Sequence, residues 1–237
     1  MLLGSYQLLF YDPASFVRLA VVVGFALLTA ITVHEFSHAL VATLLGDRTA
    51  QRLGRLSLNP RRHLDPGGTA MLLVAGFGWG KPVPVNQHNL GRGPRDMALV
   101  AVAGPLSNLV LAFLLAIPVK AGLLGWSNPT LGRATYVLTG GLREGLSDIV
   151  GVVILFNLLL AVFNLVPVAP LDGAKVLGGL LPRQWLPSYS RLEQQGPLLL
   201  VGIIIVDILV GQLWGVSLLW SALGPAVRGL VSLATGF

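Results

Sequence analysis

Four stretches of this 237-residue chain are long and apolar enough to cross a bilayer as helices: Leu19–Leu45, Met97–Val119, Leu146–Val168 and Leu198–Leu223. At 1.5 Å per residue each covers the roughly 30 Å of hydrocarbon, and backbone in lipid must satisfy its own hydrogen bonds. Only 11% of the residues are charged and 54% are hydrophobic, whereas a soluble domain carries about 25% charged residues. The expected fold is an all-α polytopic membrane protein, a helical bundle of four core spans. A soluble globular enzyme is excluded. The absence of cysteine also removes disulfide scaffolds, thiol nucleophiles and cysteine-held metals. The net charge of +6 comes without a basic stripe interleaved with aromatics, so no nucleic-acid partner is expected.

The last apolar region continues to Val231 through Gly211, Gly215, Gly224 and Pro225. It reads either as one tilted helix with a tail or as two short membrane helices, giving up to six membrane helices in all. Met1–Tyr11 is too short to span and lacks the charged start of a signal peptide. No repeat and no region of soluble composition interrupts the pattern, so residues 1–237 read as a single integral-membrane domain.

The connection between the first two spans has a different character. Asp47–Arg62 is polar and holds Arg48, Arg52, Arg55, Arg61 and Arg62, which read as a solvated run facing lipid headgroups. Gly67–Gly80 is apolar, glycine-rich and too short to span, and Lys81–Asn86 reads KPVPVN, where the prolines forbid a helix. Gly67–Asn86 is therefore expected to form a re-entrant or extended element packed on the bundle. Asp47–Asp96 contains eight Lys/Arg, against three (Lys120, Arg133, Arg143) around the next connection. By the positive-inside rule the first and third connections are cytoplasmic.

The first span contains His34-Glu35-Phe36-Ser37-His38. On a helix, residues four apart stand one turn above each other, so both imidazoles can face one metal ion, with Glu35 beside them to take a proton from water. Three ionisable groups within one turn of a span are costly unless something binds them. A zinc hydrolase needs a third protein ligand at the same depth and keeps a fourth position open. The other histidines, His63 and His88, lie in the polar connection, His63 as a hydrogen-bonder that orders its loop. Among the acids at other spans, Asp148, Asp172 and Asp207, Asp172 is best placed. It follows Asn164-Leu-Val-Pro167-Val-Ala-Pro170-Leu, where two prolines remove backbone donors and Gly173 permits a tight turn aiming Asp172 inward. The competing reading of Asp172 is a plain helix cap.

HEFSH inside a span, with NLVPVAPLDG closing a later one, resembles the site-2 protease family of intramembrane zinc metalloproteases. SLNPRRHLDPGGT (Ser57–Thr69), GWGKPVPVN (Gly78–Asn86) and AGPLSN (Ala103–Asn108) resemble its compact prokaryotic members, those without PDZ or CBS domains. The resemblance implies one zinc ion per chain held by His34, His38 and Asp172, with Glu35 as general base and Asn164 donating to the developing oxyanion. It implies an endopeptidase of a prokaryotic plasma or inner membrane, with its zinc near the cytoplasmic side. Its partners would be the lipid bilayer and transmembrane protein substrates, such as a membrane-held regulator or a signal-peptide remnant.

Weaker candidates surround this core. Asn108, mid-span after Gly104-Pro105, either orients a ligand histidine by a hydrogen bond or glues helices together. Asn157, seven residues before Asn164 and on much the same helix face, faces the bundle interior, as a structural residue in one reading and as part of the catalytic site in the other. The alternation of Lys81, Val83 and Val85 offers an edge to which a substrate strand could add, although proline-rich edges also serve to prevent pairing. Asp207 marks either a proton path or the boundary between two short helices. A membrane transporter using the same polar cluster would call for paired broken helices and internal symmetry; only the third span shows a break.

Overall fold

The computed structural model describes residues 8–68, 80–126 and 137–237, and among these it contains helices and no strand. In chain order the main helices are α1 (Pro13–Leu44), α2 (Pro94–Lys120), α3 (Leu142–Asn164), the short α4 (Asp172–Leu180), α5 (Leu186–Trp214) and α6 (Leu218–Thr235). All but α4 are long and apolar enough to cross a membrane. This is an all-α polytopic membrane fold with five such helices among the described residues. Most of the expected re-entrant segment, residues 69–79, lies outside them, as do Met1–Gln7 and Arg133.

Helices in lipid gain nothing from hiding apolar surface from one another; they associate by close packing and polar contacts. The sequence supplies both at one spacing. Along α1 the buried positions include Ala26, Ala30, His34, His38 and Ala42, every fourth residue of one face. Along α2 they include Val100, Gly104, Asn108, Ala112 and Ala116, again every fourth. Small residues above and below the polar ones bring the two backbones together at the polar level. Ile154, Asn157, Leu158 and Ala161 of α3 close the third side.

α3 stops at Asn164, short of the expected Val168. Pro167 has no N–H for the Phe163 carbonyl and disfavours helical backbone at Val166. The Val166 amide takes that carbonyl instead, at 3.1 Å, in a turn. The C-terminal apolar region is two helices. Gly215 ends α5 in the left-handed region (φ 69°), and Ser217 caps α6 by accepting from the Trp220 amide at 3.0 Å. Asp207 belongs to the boundary: from within α5 its carboxylate accepts from the Ser217 hydroxyl and from the Leu219 amide at 2.8 Å. Pro225 lies inside α6 and does not break it.

α5 stands apart from the others. Only Gly196 along it is buried, and a Cβ there would sit 2.4 Å from the Ala169 Cβ. Before Gly196 the helix is polar (Ser188, Ser190, Arg191, Glu193, Gln194, Gln195); after Pro197 it is almost wholly apolar and exposed. The helix therefore leaves the hydrocarbon near Gly196.

The first connection is held to the bundle by two buried charges. Asp47, fully buried just past α1, accepts from the amides of Asn86 (2.7 Å) and Thr49 (3.1 Å), the Asn89 side chain (2.8 Å) and the Thr49 hydroxyl. Burial pushes its pKa up, but these hydrogen bonds outweigh burial and hold it below the ordinary carboxylate range. Arg55 is buried as well, with its guanidinium donating to the carbonyls of Arg62, Lys81 and Pro82. This corrects the expectation of one solvated arginine run: Arg48, Arg52, Arg61 and Arg62 are exposed, and Arg55 is not. His63 is buried, bonded through Nε2 to the Ser57 carbonyl at 2.6 Å. The amide of Lys81 donates to the His63 carbonyl at 2.7 Å, and Leu64 and Gly80 form a bridge.

Removing the Asp47 carboxylate strands several buried donors, each worth about 1–3 kcal/mol. Asp47→Ala should therefore speed amide exchange at Asn86 by roughly tenfold or more. Because the folded pKa lies below the unfolded value of about 3.9, the latch is fully present above that pH and is lost as pH falls through the folded value. Exchange in wild type and Asp47→Ala should converge in acid; an equal gap at every pH would show that the charge is not what holds the segment.

Candidate metal centre

His34 and His38 lie one turn apart on the buried face of α1, their rings 4.6 Å apart and nearly perpendicular. Asp172, the first residue of α4, comes to them from the far side of the proline-containing turn after α3. Its Oδ2 lies 3.0 Å from His34 Nε2 and 3.2 Å from His38 Nε2. All three side chains are buried. Asp172 thus begins a helix and also faces inward, so both readings of it describe part of the arrangement. Gly173 acts by absence: a Cβ there would lie 2.3 Å from the Leu165 carbonyl oxygen and 2.4 Å from that of Val166. Its use is close approach of α4 to the end of α3, and not the tight turn expected.

The proton positions follow from the hydrogen bonds. Asn157 donates through Nδ2 to the Val153 carbonyl at 2.8 Å, so its Oδ1 is the acceptor for Asn108 Nδ2 at 2.7 Å. Asn108 Nδ2 also donates to the Ala30 carbonyl at 2.9 Å. The Asn108 oxygen therefore faces His34 Nδ1, at 2.7 Å, and can only accept. His38 Nδ1 faces the Val100 carbonyl at 2.7 Å, again a pure acceptor. Each ring must therefore carry a proton on Nδ1; in the neutral imidazole the lone pair is then on Nε2, aimed at a carboxylate oxygen, whereas a second proton there would donate to Asp172. With neutral imidazoles, three acceptors face one point.

Such a focus calls for a cation. The three donor atoms lie within 4.8 Å of one another. With bonds of about 2.0–2.1 Å, neighbouring ligands of a tetrahedral zinc are about 3.3 Å apart, close to the two spacings here. Gly104 supplies the room: a Cβ on it would sit 2.5 Å from His38 Nε2 and 2.7 Å from His34 Cε1. The residues present fit a metal ion.

A cavity of about 120 Å³ opens onto the triad, lined also by Glu35, Val83, Val85, Asn164 and Lys175. Glu35 is half-buried, and its Oε2 accepts from the Val83 amide at 3.1 Å. Pro82 and Pro84 have no amide hydrogen, so Val83 carries the sole N–H of that tripeptide. Asn164, the last residue of α3, donates one N–H to the Leu160 carbonyl at 3.0 Å. Of the sequence candidates, only Lys81 among KPVPV's alternating residues is absent from the lining; its side chain is exposed and its carbonyl is held by Arg55. Asn108 and Asn157 sit behind the histidines and not in the cavity.

Sequence reasoning missed Asp47, Arg55, Met97 and Lys175, and took Gly104 only as one of the small residues that let helices approach. The four-residue step from Val100 to Gly104 to Asn108, matching that of Ala30, His34 and His38, was the available signal for Gly104. Nothing local distinguished Arg55 from its neighbours.

The model of peptidase family M50 matches residues 22–206, which include every residue of the centre. The chain is 36% identical to YwhC of Bacillus subtilis (strain 168), provisionally named a zinc metalloprotease, over 86% of this chain and 88% of that one. It is 29% identical to Rip2 of Mycolicibacterium smegmatis over 83% of this chain and 71% of the relative, and 29% identical to Rip2 of Mycobacterium tuberculosis (strain ATCC 25618 / H37Rv) over 86% and 74%. Both Rip2 proteins are likewise named, provisionally, as zinc metalloproteases. No solved structure matches the chain. With its apolar spans and a family match over most of its length, the chain is an integral membrane protein and belongs to peptidase family M50, the site-2 protease family.

Proposed function

We propose that this chain, acting as one domain over residues 1–237, is an intramembrane zinc endopeptidase. It cuts transmembrane segments of other membrane proteins near their cytoplasmic end, in regulated proteolysis of a membrane-held regulator or in clearing signal-peptide remnants. The reading rests above all on one observation: His34 Nε2, His38 Nε2 and Asp172 Oδ2 converge beside the Glu35 carboxylate, in a cavity at a span.

His34, His38 and Asp172 would hold the zinc, which when bound supplies a Lewis acid for the scissile carbonyl and makes water nucleophilic at neutral pH. Asn108 and the Val100 carbonyl keep the two imidazoles in the ligand tautomer. Glu35 is oriented by the Val83 amide through Oε2, leaving Oε1 to take a proton from water and pass it to the leaving amine. Asn164 has a second N–H beyond the one spent on Leu160, and offers it to the oxygen on which charge develops; a contact of this kind is worth about 3–4 kcal/mol. A substrate strand added along the extended segment would pair at Val85, since the amides of Lys81 and Val83 are already given to His63 and Glu35.

Glu35→Gln should keep stoichiometric zinc and lose cleavage of a fluorescent transmembrane substrate by about 10²–10⁴-fold; equal cleavage by both would sink the base role. Gly104→Ala places a methyl between the ligand atoms, so metal analysis should find zinc well below one per chain while circular dichroism keeps its helical signature. Full zinc occupancy in that variant would mean the metal sits elsewhere. An Arg61→Cys reporter in the exposed arginine run should react from the cytoplasm in intact cells. Labelling from outside would reverse the sidedness drawn from loop charge.

A further inference from the structure

A second cavity, of about 240 Å³, adjoins the metal centre, and Met97 and Lys175 line both. Two elements run from one to the other. α4 places Asp172 in the centre, Lys175 at the junction and Gly179 in the second cavity, at steps of three and four along one face. The extended segment places Val83 and Val85 in the first, and the 3-10 turn that follows it (Gln87–Asn89) places Gln87 in the second. The outer wall is the polar half of α5, through Leu186, Tyr189, Ser190 and Glu193, the same face of that helix.

The wall chemistry is mixed: an ammonium, a carboxylate, an amide and a hydroxyl around apolar Met97 and Leu186. Tyr189 is held in place by donating its hydroxyl to the Ala174 carbonyl at 2.6 Å. The volume falls below the roughly 300–1,000 Å³ of small-molecule and cofactor sites. Donors and acceptors of both signs suit a peptide chain with polar side chains, and not lipid tails. The position suits it too, because the wall helix turns from apolar to polar at Gly196–Pro197, where a chain leaves the hydrocarbon.

Resting on the protease reading above, we propose that this second cavity is the substrate subsite for the polar flank that follows the transmembrane segment out of the bilayer. Residues beside the scissile bond lie along Val83–Val85, and the flank passes Met97 and Lys175 to lie against Gln87, Tyr189, Ser190 and Glu193. The subsite selects membrane segments that end in a polar stretch close to the cut.

The test uses full-length, zinc-loaded protein in nanodiscs and two transmembrane peptides of identical span, one with a polar flank and one truncated at the membrane boundary. Wild type should prefer the flanked peptide by about tenfold in kcat/KM, and Ser190→Trp, which fills the cavity from its outer wall, should reduce the preference to about twofold or less. A preference that survives Ser190→Trp, or cleavage of both peptides by wild type without preference, overturns the proposal. A photo-crosslinker in the flank provides a readout independent of turnover, with Glu35→Gln used to retain the peptide. Crosslinks to α5 between Leu186 and Glu193 support the subsite; crosslinks confined to other elements refute it. If wild type cuts neither peptide but crosslinks to α5, the protease reading fails and the flank subsite stands.

Discussion

Two imidazole nitrogens and one carboxylate oxygen pointing at one place form the constraint around which the rest of the molecule is arranged. A positive charge joins His34 Nε2, His38 Nε2 and Asp172 Oδ2 at these distances, whether it is a proton on an imidazole or a metal ion. The pattern is enforced from outside the triad. The Val153 carbonyl orients Asn157, Asn157 orients Asn108, and Asn108 sets the tautomer of His34, while the Val100 carbonyl does the same for His38. Two backbone carbonyls, which cannot change sides, decide the chemistry of two imidazoles. The small residues at four-residue spacing on α1 and α2 bring the backbones close enough for this to happen.

A second layer of order joins the soluble-looking connection to the centre. Asp47 and Arg55 are buried at opposite ends of one extended segment, the first accepting from its last amide, at Asn86, the second donating to its first carbonyls, at Lys81 and Pro82. Between them, Pro82 and Pro84 leave Val83 the sole donor of their tripeptide, and that donor reaches Glu35. The charges that would make such a segment costly at the membrane are spent on fixing it.

Much of this was legible in the chain alone. Uncharged runs gave the spans, and HEFSH, with a proline-broken span ending in Leu-Asp-Gly, placed three ligand candidates at one depth. The helix ends were read less well, because apolarity continues past Asn164 while Pro167 and the turn carbonyls end the helix there. Gly104 and Gly173 were underread for a common reason. Each matters through what a methyl would strike, and the struck atoms belong to residues distant in the chain or in another helix. Arg55 and Asp47 looked like ordinary loop charges, since burial of a charge is decided by partners such as Asn86, Asn89 and Pro82 that arrive from the other end of the connection.

The chain of amides from Val153 to His34 also fixes which parts of the molecule are allowed to move. Sliding α3 along α2 by a single residue would swing Asn157 away from Asn108 and free the histidine proton to change nitrogens. The α1–α2–α3 wall must therefore keep its register through any working cycle, as a bearing surface does. Compliance is left to α5, along which only Gly196 is buried and whose apolar half is exposed.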